Sequence, residues 1–212
     1  MCLDFIAIDF ETANSQRASA CAVALIFFKN GKVFEEYTWL IRPAEEMNYF
    51  SPINVQIHGI SKKDVQNEPE FNEIWPEIFK LINNRTVVAH NASFDISVMR
   101  QLIDHYDLEH PNINIICTCS VAKKTWQNQT NYRLNTIGDS LGIVFKHHDA
   151  HDDAKTCGKI LVEACSFHNS ETFEDLAASL GMRIGNLNVH TYSGCSVAKQ
   201  KKKLNKKGDF II

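Results

Sequence analysis

No stretch of this 212-residue chain is apolar for long enough to cross a bilayer; the apolar run at Cys21–Phe28 falls well short of the roughly 20 residues a spanning helix needs. The opening MCLDFIAIDFE lacks a basic leader and already carries Asp4, Asp9 and Glu11. These absences predict a soluble, cytoplasmic protein with no membrane partner and no export signal. Paired C-x-x-C units are missing too. The seven cysteines, an odd number at irregular spacings, read as reduced thiols rather than a disulfide scaffold. Cys117 and Cys119 flank Thr118 as the only close pair, and without a second pair they argue against a structural zinc site.

Basic charge is scarce in the body of the chain. Of 22 basic and 25 acidic side chains (net −3), residues 199–212 hold six lysines and Asp209, which leaves 16 against 24, or −8, for residues 1–198. An acidic body excludes a general-purpose nucleic-acid clamp. The Lys-rich end reads either as a solvated tail or as an electrostatic arm for phosphates.

What is present is an ordered series of strands and helices with no internal repeat. FIAIDFE is a short apolar strand, and CAVALIFF followed by KVFEEYTWLI across Lys29-Asn30-Gly31 reads as a hairpin. SPINVQIHGIS looks like a loop with one helical turn. Phe71, Ile74, Trp75, Ile78, Phe79 and Ile82 then recur at helical spacing, with Pro76 tolerable only if the helix starts shortly before it. TVVAH and NINIICT read as buried strands on either side of a helix over SFDISVMRQLIDHY. LNTIGDSLGI, AHDDAKTCGKILVEACSFH and TFEDLAASLG give three more helices, the last stopped by Gly181. Three antiparallel strands followed by strand–helix–strand predict an α/β fold with a mixed central sheet flanked by helices. A domain over residues 1–181 and an irregular extension over 182–212 are expected.

Residues two apart in a strand share a face, so Asp9 and Glu11 point the same way among apolar neighbours. Two inner-strand anions require compensating cations or donors, or else a strand frayed into water. Asp95 follows Asn91 and Ser93, either of which could cap its helix, and it shares a stripe with Val98, Met99 and Leu102, so it faces the sheet. In HHDAHDDA (147–154), positions three, four, seven and eight beyond Asp152 are Lys155, Thr156, Lys159 and Ile160, a polar face. The same steps from Asp153 give Thr156, Cys157, Ile160 and Leu161, so Asp153 points inward while Asp152 faces solvent. Asp149 suits a cap and His151 suits solvent. His148, five residues before Asp153, lies in a connection that can aim it at that acid, whereas His147 has the same spacing to Asp152 on the wrong face.

Four inward carboxylates without matching inward Lys or Arg describe an all-oxygen site for two hard ions, Mg²⁺ or Mn²⁺. Such a pair suits phosphoryl displacement, with a neutral histidine as general base.

These residues resemble the DEDDh branch of the 3′→5′ exonucleases, the group that includes the proofreading epsilon subunit of bacterial DNA polymerase III. AIDFET (7–12), AHNASFD (89–95) and HDAHDDA (148–154) follow the order of its three motifs, and QIHGIS (56–61) resembles its loop near the substrate terminus. The resemblance implies an RNase H-like fold with a five-stranded mixed sheet. It implies metal ligation by Asp9, Glu11, Asp95 and Asp153, and His148 as base. It further implies a pocket for the terminal nucleotide from Phe10, Thr12, His58, Asn91 and Phe94, with Phe10 or Phe94 stacking on a base. The expected partner is nucleic acid with an unpaired 3′ end, with a DNA polymerase as a candidate protein partner. RNA trimming by the same acids is the alternative; an HD-type phosphohydrolase using His151 and Asp152, and a catalytically silent binding module, are the remoter ones.

Overall fold

The computed structural model describes residues 3–197. The Lys-rich tail expected at 199–212 lies outside them. β1 (Phe5–Thr12), β2 (Ala20–Lys29) and β3 (Lys32–Leu40) form an antiparallel meander. The β2–β3 link is Asn30-Gly31 with φ of 52° and 73°, the two positive values a tight primed turn demands. The chain continues through α1 (Pro52–His58), α2 (Lys62–Val65), α3 (Phe71–Ile82), β4 (Thr86–Ala89), α4 (Ser93–His105) and β5 (Ile113–Cys117). Then come α5 (Thr118–Thr125), α6 (Leu134–Ser140), α7 (Ala150–Phe167), α8 (Phe173–Leu180) and four short strands, β6 (Met182–Arg183), β7 (Gly185–Leu187), β8 (Tyr192–Ser193) and β9 (Ser196–Val197).

The central sheet has seven strands in the order β3-β2-β1-β4-β5-β7-β8, not the five expected. β1, β4 and β5 run parallel, and the extra two come from the stretch read as irregular: β7 pairs antiparallel with β5, and β8 with β7. Two- and three-residue strands leave no periodicity to read. They form because Gly185 lets the returning backbone close in; a Cβ there would sit 2.7 Å from the Ser193 carbonyl oxygen. Two further corrections are helical. SPINVQIHGIS holds the seven-residue helix α1, with Pro52 in its first turn and Gly59 left-handed at its end, and α5 forms where no helix was expected. α3 begins at Phe71, five residues before Pro76, so the proline removes only one early helical bond.

Both faces of the sheet are covered. Ile6, Ile8 and Phe10 of β1 pack with α3 and α4, while Phe5 and Ala7 pack with α7 and α8. β2 is buried along nearly its whole length for the same reason. α7 lies unusually close to β2, since a Cβ at Gly158 would fall 2.1 Å from the Phe28 ring. That approach brings the start of α7 against β1.

Candidate active site

Asp9 and Glu11 stand at the carboxyl end of β1 on the α7 side, and Asp153 in the first turn of α7 meets them. One carboxylate oxygen from each lies within 4.8 Å of the others. Asp95, buried at the start of α4, accepts a hydrogen bond from the Phe10 N–H at 3.1 Å, which ties it to the same strand between the two acids. The four carboxylates are therefore gathered, as the strand and helix faces required.

The electrostatics show what the cluster lacks. Burial, then the charges of Asp95, Glu11 and Asp153, raise the Asp9 carboxyl well above its usual range. Glu11 is pushed up to about 8 by burial and the neighbouring acids. Asp95 and Asp153 rise too, chiefly through burial, although the Phe10 N–H and Arg17 hold the first down and His147 the second. The groups within reach cannot neutralise all four carboxylates. An all-oxygen donor set this crowded fits hard divalent cations, which would favour the ionised forms.

Asp153 is buried and Asp152 is not, as their positions on different faces of α7 require. Asp152 accepts the Lys146 N–H, and Asp149 caps α7 by accepting the Asp152 N–H. His151 pairs with Glu36 of β3 instead of facing free solvent. With His151 and Asp152 so engaged, and nine strands among the described residues, the HD-type reading fails.

The largest local correction concerns His147. Its Nδ1 lies 3.1 and 3.2 Å from the two Asp153 carboxylate oxygens, a contact that spacing along α7 could not reveal because the residue precedes the helix. His148 sits at φ 65°, which turns the chain so that its backbone N–H donates to Asp153 at 3.1 Å. Its ring stacks on His147 with centroids 3.8 Å apart. Ring nitrogens of both histidines and an Asp153 oxygen lie within 4.8 Å of one another. Burial and the neighbouring His147 lower the His148 pKa, favouring the neutral ring.

Of the residues expected to line a nucleotide pocket, Phe10 is buried at 2% exposure against Phe71 and cannot stack on a base. The period-two alternation of β1 sends it to the opposite face from Asp9 and Glu11. Phe94 is half-buried with the Arg17 guanidinium 4.1 Å over its ring. His58 Nδ1 accepts from the Ile60 N–H, so the proton on Nε2 faces the Thr12 carbonyl at 3.2 Å. Asn54, which the sequence did not single out, donates to that carbonyl at 2.7 Å. α1 thus holds Thr12 in place. Neither Asn91 nor Ser93 caps α4; Ala92 is its N-cap, and Asn91 takes the left-handed φ of 64° at the mouth of the site.

Asp9, Asp153, Asn91, His147, His148 and Lys123 border a cleft of about 460 Å³. His90 forms part of its wall, with its pKa lowered to about 4 by burial, and bonds Thr118 and the Tyr132 carbonyl. The cleft lies beyond the carboxyl ends of β1 and β4, where α/β sheets place ligands.

The exonuclease family, of RNase T type, matches residues 6–161. This chain belongs to that family. It is 30% identical over 164 residues to the PolC-type DNA polymerase III of Thermotoga petrophila, covering 74% of this chain and 12% of the polymerase. It is 25% identical over 163 residues to the 3′-5′ exonuclease DinG of Bacillus subtilis, covering 75% of this chain and 17% of DinG. It thus spans only a small part of either relative. Among solved structures, it is similar to Exonuclease X in complex with 5′ overhanging duplex DNA (TM-score 0.67, 23% identity, 84% of this chain and 99% of that one). It is also similar to the nuclease domain of 3′hExo, a DEDDh member bound to rAMP (TM-score 0.67, 12% identity, 79% and 94%). No helix among the described residues is long and apolar enough to cross a membrane.

Proposed function

We propose that this chain is a 3′→5′ exonuclease that removes nucleoside monophosphates from single-stranded or unpaired 3′ ends, with DNA as the preferred substrate. The observation that carries this reading is the meeting of Asp9, Glu11 and Asp153 within 4.8 Å, with buried Asp95 beside them and too few cationic partners. Asp9, Glu11, Asp153 and Asp95 would hold two divalent cations, Mg²⁺ or Mn²⁺. When bound, such ions supply Lewis-acid polarisation of the scissile phosphodiester and of the attacking water.

His148 is the general base. It sits beside the cluster with neither ring nitrogen hydrogen-bonded among the described residues, and its lowered pKa leaves a free lone pair near neutral pH to take the proton of the attacking water. His147 keeps the Asp153 carboxylate oriented through Nδ1. Thr12 and Phe94 meet the terminal sugar and base, and Asn91 lines the approach. His58 acts one step back, by fixing Thr12. Sequence preference is weak, because these groups address phosphate and sugar more than base edges.

The similarity to a segment of PolC-type DNA polymerase III, and to Exonuclease X on DNA, supports DNA as substrate and a DNA polymerase as partner. The rAMP-bound 3′hExo supports RNA as the second reading. Matched 3′-extended DNA and RNA strands, incubated with Mg²⁺ or Mn²⁺, test both. Stepwise release of mononucleotides from the 3′ end is expected, faster on DNA and lost in Asp9→Ala. Internal fragments, or full activity in Asp9→Ala, would refute the mechanism; faster loss of RNA would reverse the substrate assignment.

A further inference from the structure

The cleft beside the carboxylates does not end at Lys123. Asn91, Cys119 and Lys123 border both it and a second groove of about 170 Å³, whose far wall is Tyr192 and Gly194 of the C-terminal hairpin. The groove is mixed in polarity, with Ser93 and Ser120 along it. No acidic side chain lines it among the described residues, although the body of the chain is acidic. The Arg100 guanidinium lies 4.5 Å over the Tyr192 ring, and its Nε is buried without a hydrogen-bond partner among the described residues. Tyr192 is 38% exposed, an aromatic ring with the cation against one face and a place in the groove wall. The hairpin is firmly seated: β7 pairs with β5, and Cys195 Sγ donates to the Ile115 carbonyl at 2.9 Å. It also lies outside residues 6–161, the part of the chain that matches the exonuclease family.

We infer that this groove binds the nucleotides that precede the terminal one, with Tyr192 stacking on a base and Lys123 meeting the backbone phosphate between the two compartments. The inference rests on the exonuclease reading, because it takes the strand's 3′ end to lie at the carboxylates. A continuous path, a cation at the junction, an absence of carboxylates and a half-exposed aromatic are what a single strand needs from a protein that reads no sequence.

Two measurements test it. The first is the ratio of kcat/KM on a hexanucleotide to that on a dinucleotide, in the wild type, Tyr192→Ala, Tyr192→Phe and Lys123→Ala. The second is fluorescence anisotropy of single-stranded oligonucleotides of two to ten nucleotides on metal-free protein, which reads binding without cleavage. The wild type is expected to prefer the hexamer at least tenfold. Tyr192→Ala should reduce that preference fivefold or more, Tyr192→Phe should keep it, and Lys123→Ala should also weaken the salt dependence of binding. An unchanged length ratio in Tyr192→Ala, even with a lower melting temperature, would overturn the inference and mark the hairpin as a structural edge. Length-dependent binding lost in Tyr192→Ala, without any 3′-end cleavage by the wild type, would uphold the groove and sink the exonuclease reading instead.

Discussion

A site built to hold cations should cost the protein stability whenever the cations are removed, and Glu11 makes this measurable. Its carboxyl is pushed from an ordinary 4.5 up to about 8. Between those values the folded protein keeps the proton and the unfolded chain does not. The stabilising protonation is therefore complete below pH 4.5 and is lost as the pH rises through 8. At about 1.4 kcal/mol per pKa unit, the ceiling at pH 8 and above is roughly 5 kcal/mol. Glu11 keeps some contact with solvent, which screens the penalty, so roughly 1–3 kcal/mol is the expected effect. Glu11→Gln in a chelator should then raise the melting temperature at pH 8 by about 2–12 °C, taking about 2–4 °C per kcal/mol for a domain of this size. At pH 5 the gain should shrink towards zero. Mn²⁺ should raise the melting point of the wild type strongly at pH 8 and that of the variant much less. Scanning fluorimetry over a pH series with chelator or Mn²⁺ reads all three. A variant no more stable than the wild type at pH 8, or equally stabilised at pH 5, would refute the claim that Glu11 sits uncompensated in the cluster.

The remaining predictions address positioning and chemistry. Removing the His147 ring should raise the Mg²⁺ concentration for half-maximal activity about 10–100-fold in His147→Ala, because Asp153 loses its orienting partner; a metal titration of activity checks it, and an unchanged curve would free His147 of that role. His148→Ala should instead lower kcat by about 10²–10⁴-fold with the metal requirement little altered. Because burial lowers the His148 pKa from 6.5, wild-type activity at saturating metal should fall only as the pH drops below about 6.5, where the base becomes protonated, and stay flat just above it. Gly158→Ala should destabilise the protein by roughly 1–3 kcal/mol in chemical denaturation, since the added methyl meets the Phe28 ring at 2.1 Å; no loss would mean that α7 can retreat from β2 at no cost.

The order of elements and the four carboxylates were legible in the chain because each depends on a local period. Alternation put Asp9 with Glu11 and away from Phe10, and helical spacing separated Asp153 from Asp152. The same alternation removes Phe10 from the pocket, since a strand buried on both faces sends that ring into the core. The Asn30-Gly31 turn was equally readable, because few dipeptides accept two positive φ values. Tertiary structure decided the rest. β7 and β8 exist only because β5 offers an edge to pair with, so residues 185–193 carry no signal of their own. His147 reaches Asp153 through the left-handed turn at His148, and no counting along a helix crosses such a turn. A side chain's face follows from the backbone's repeat, but which distant group it meets follows from packing: here, from α7 pressing on β2 at Gly158 and from a hairpin closing over Cys119 and Lys123.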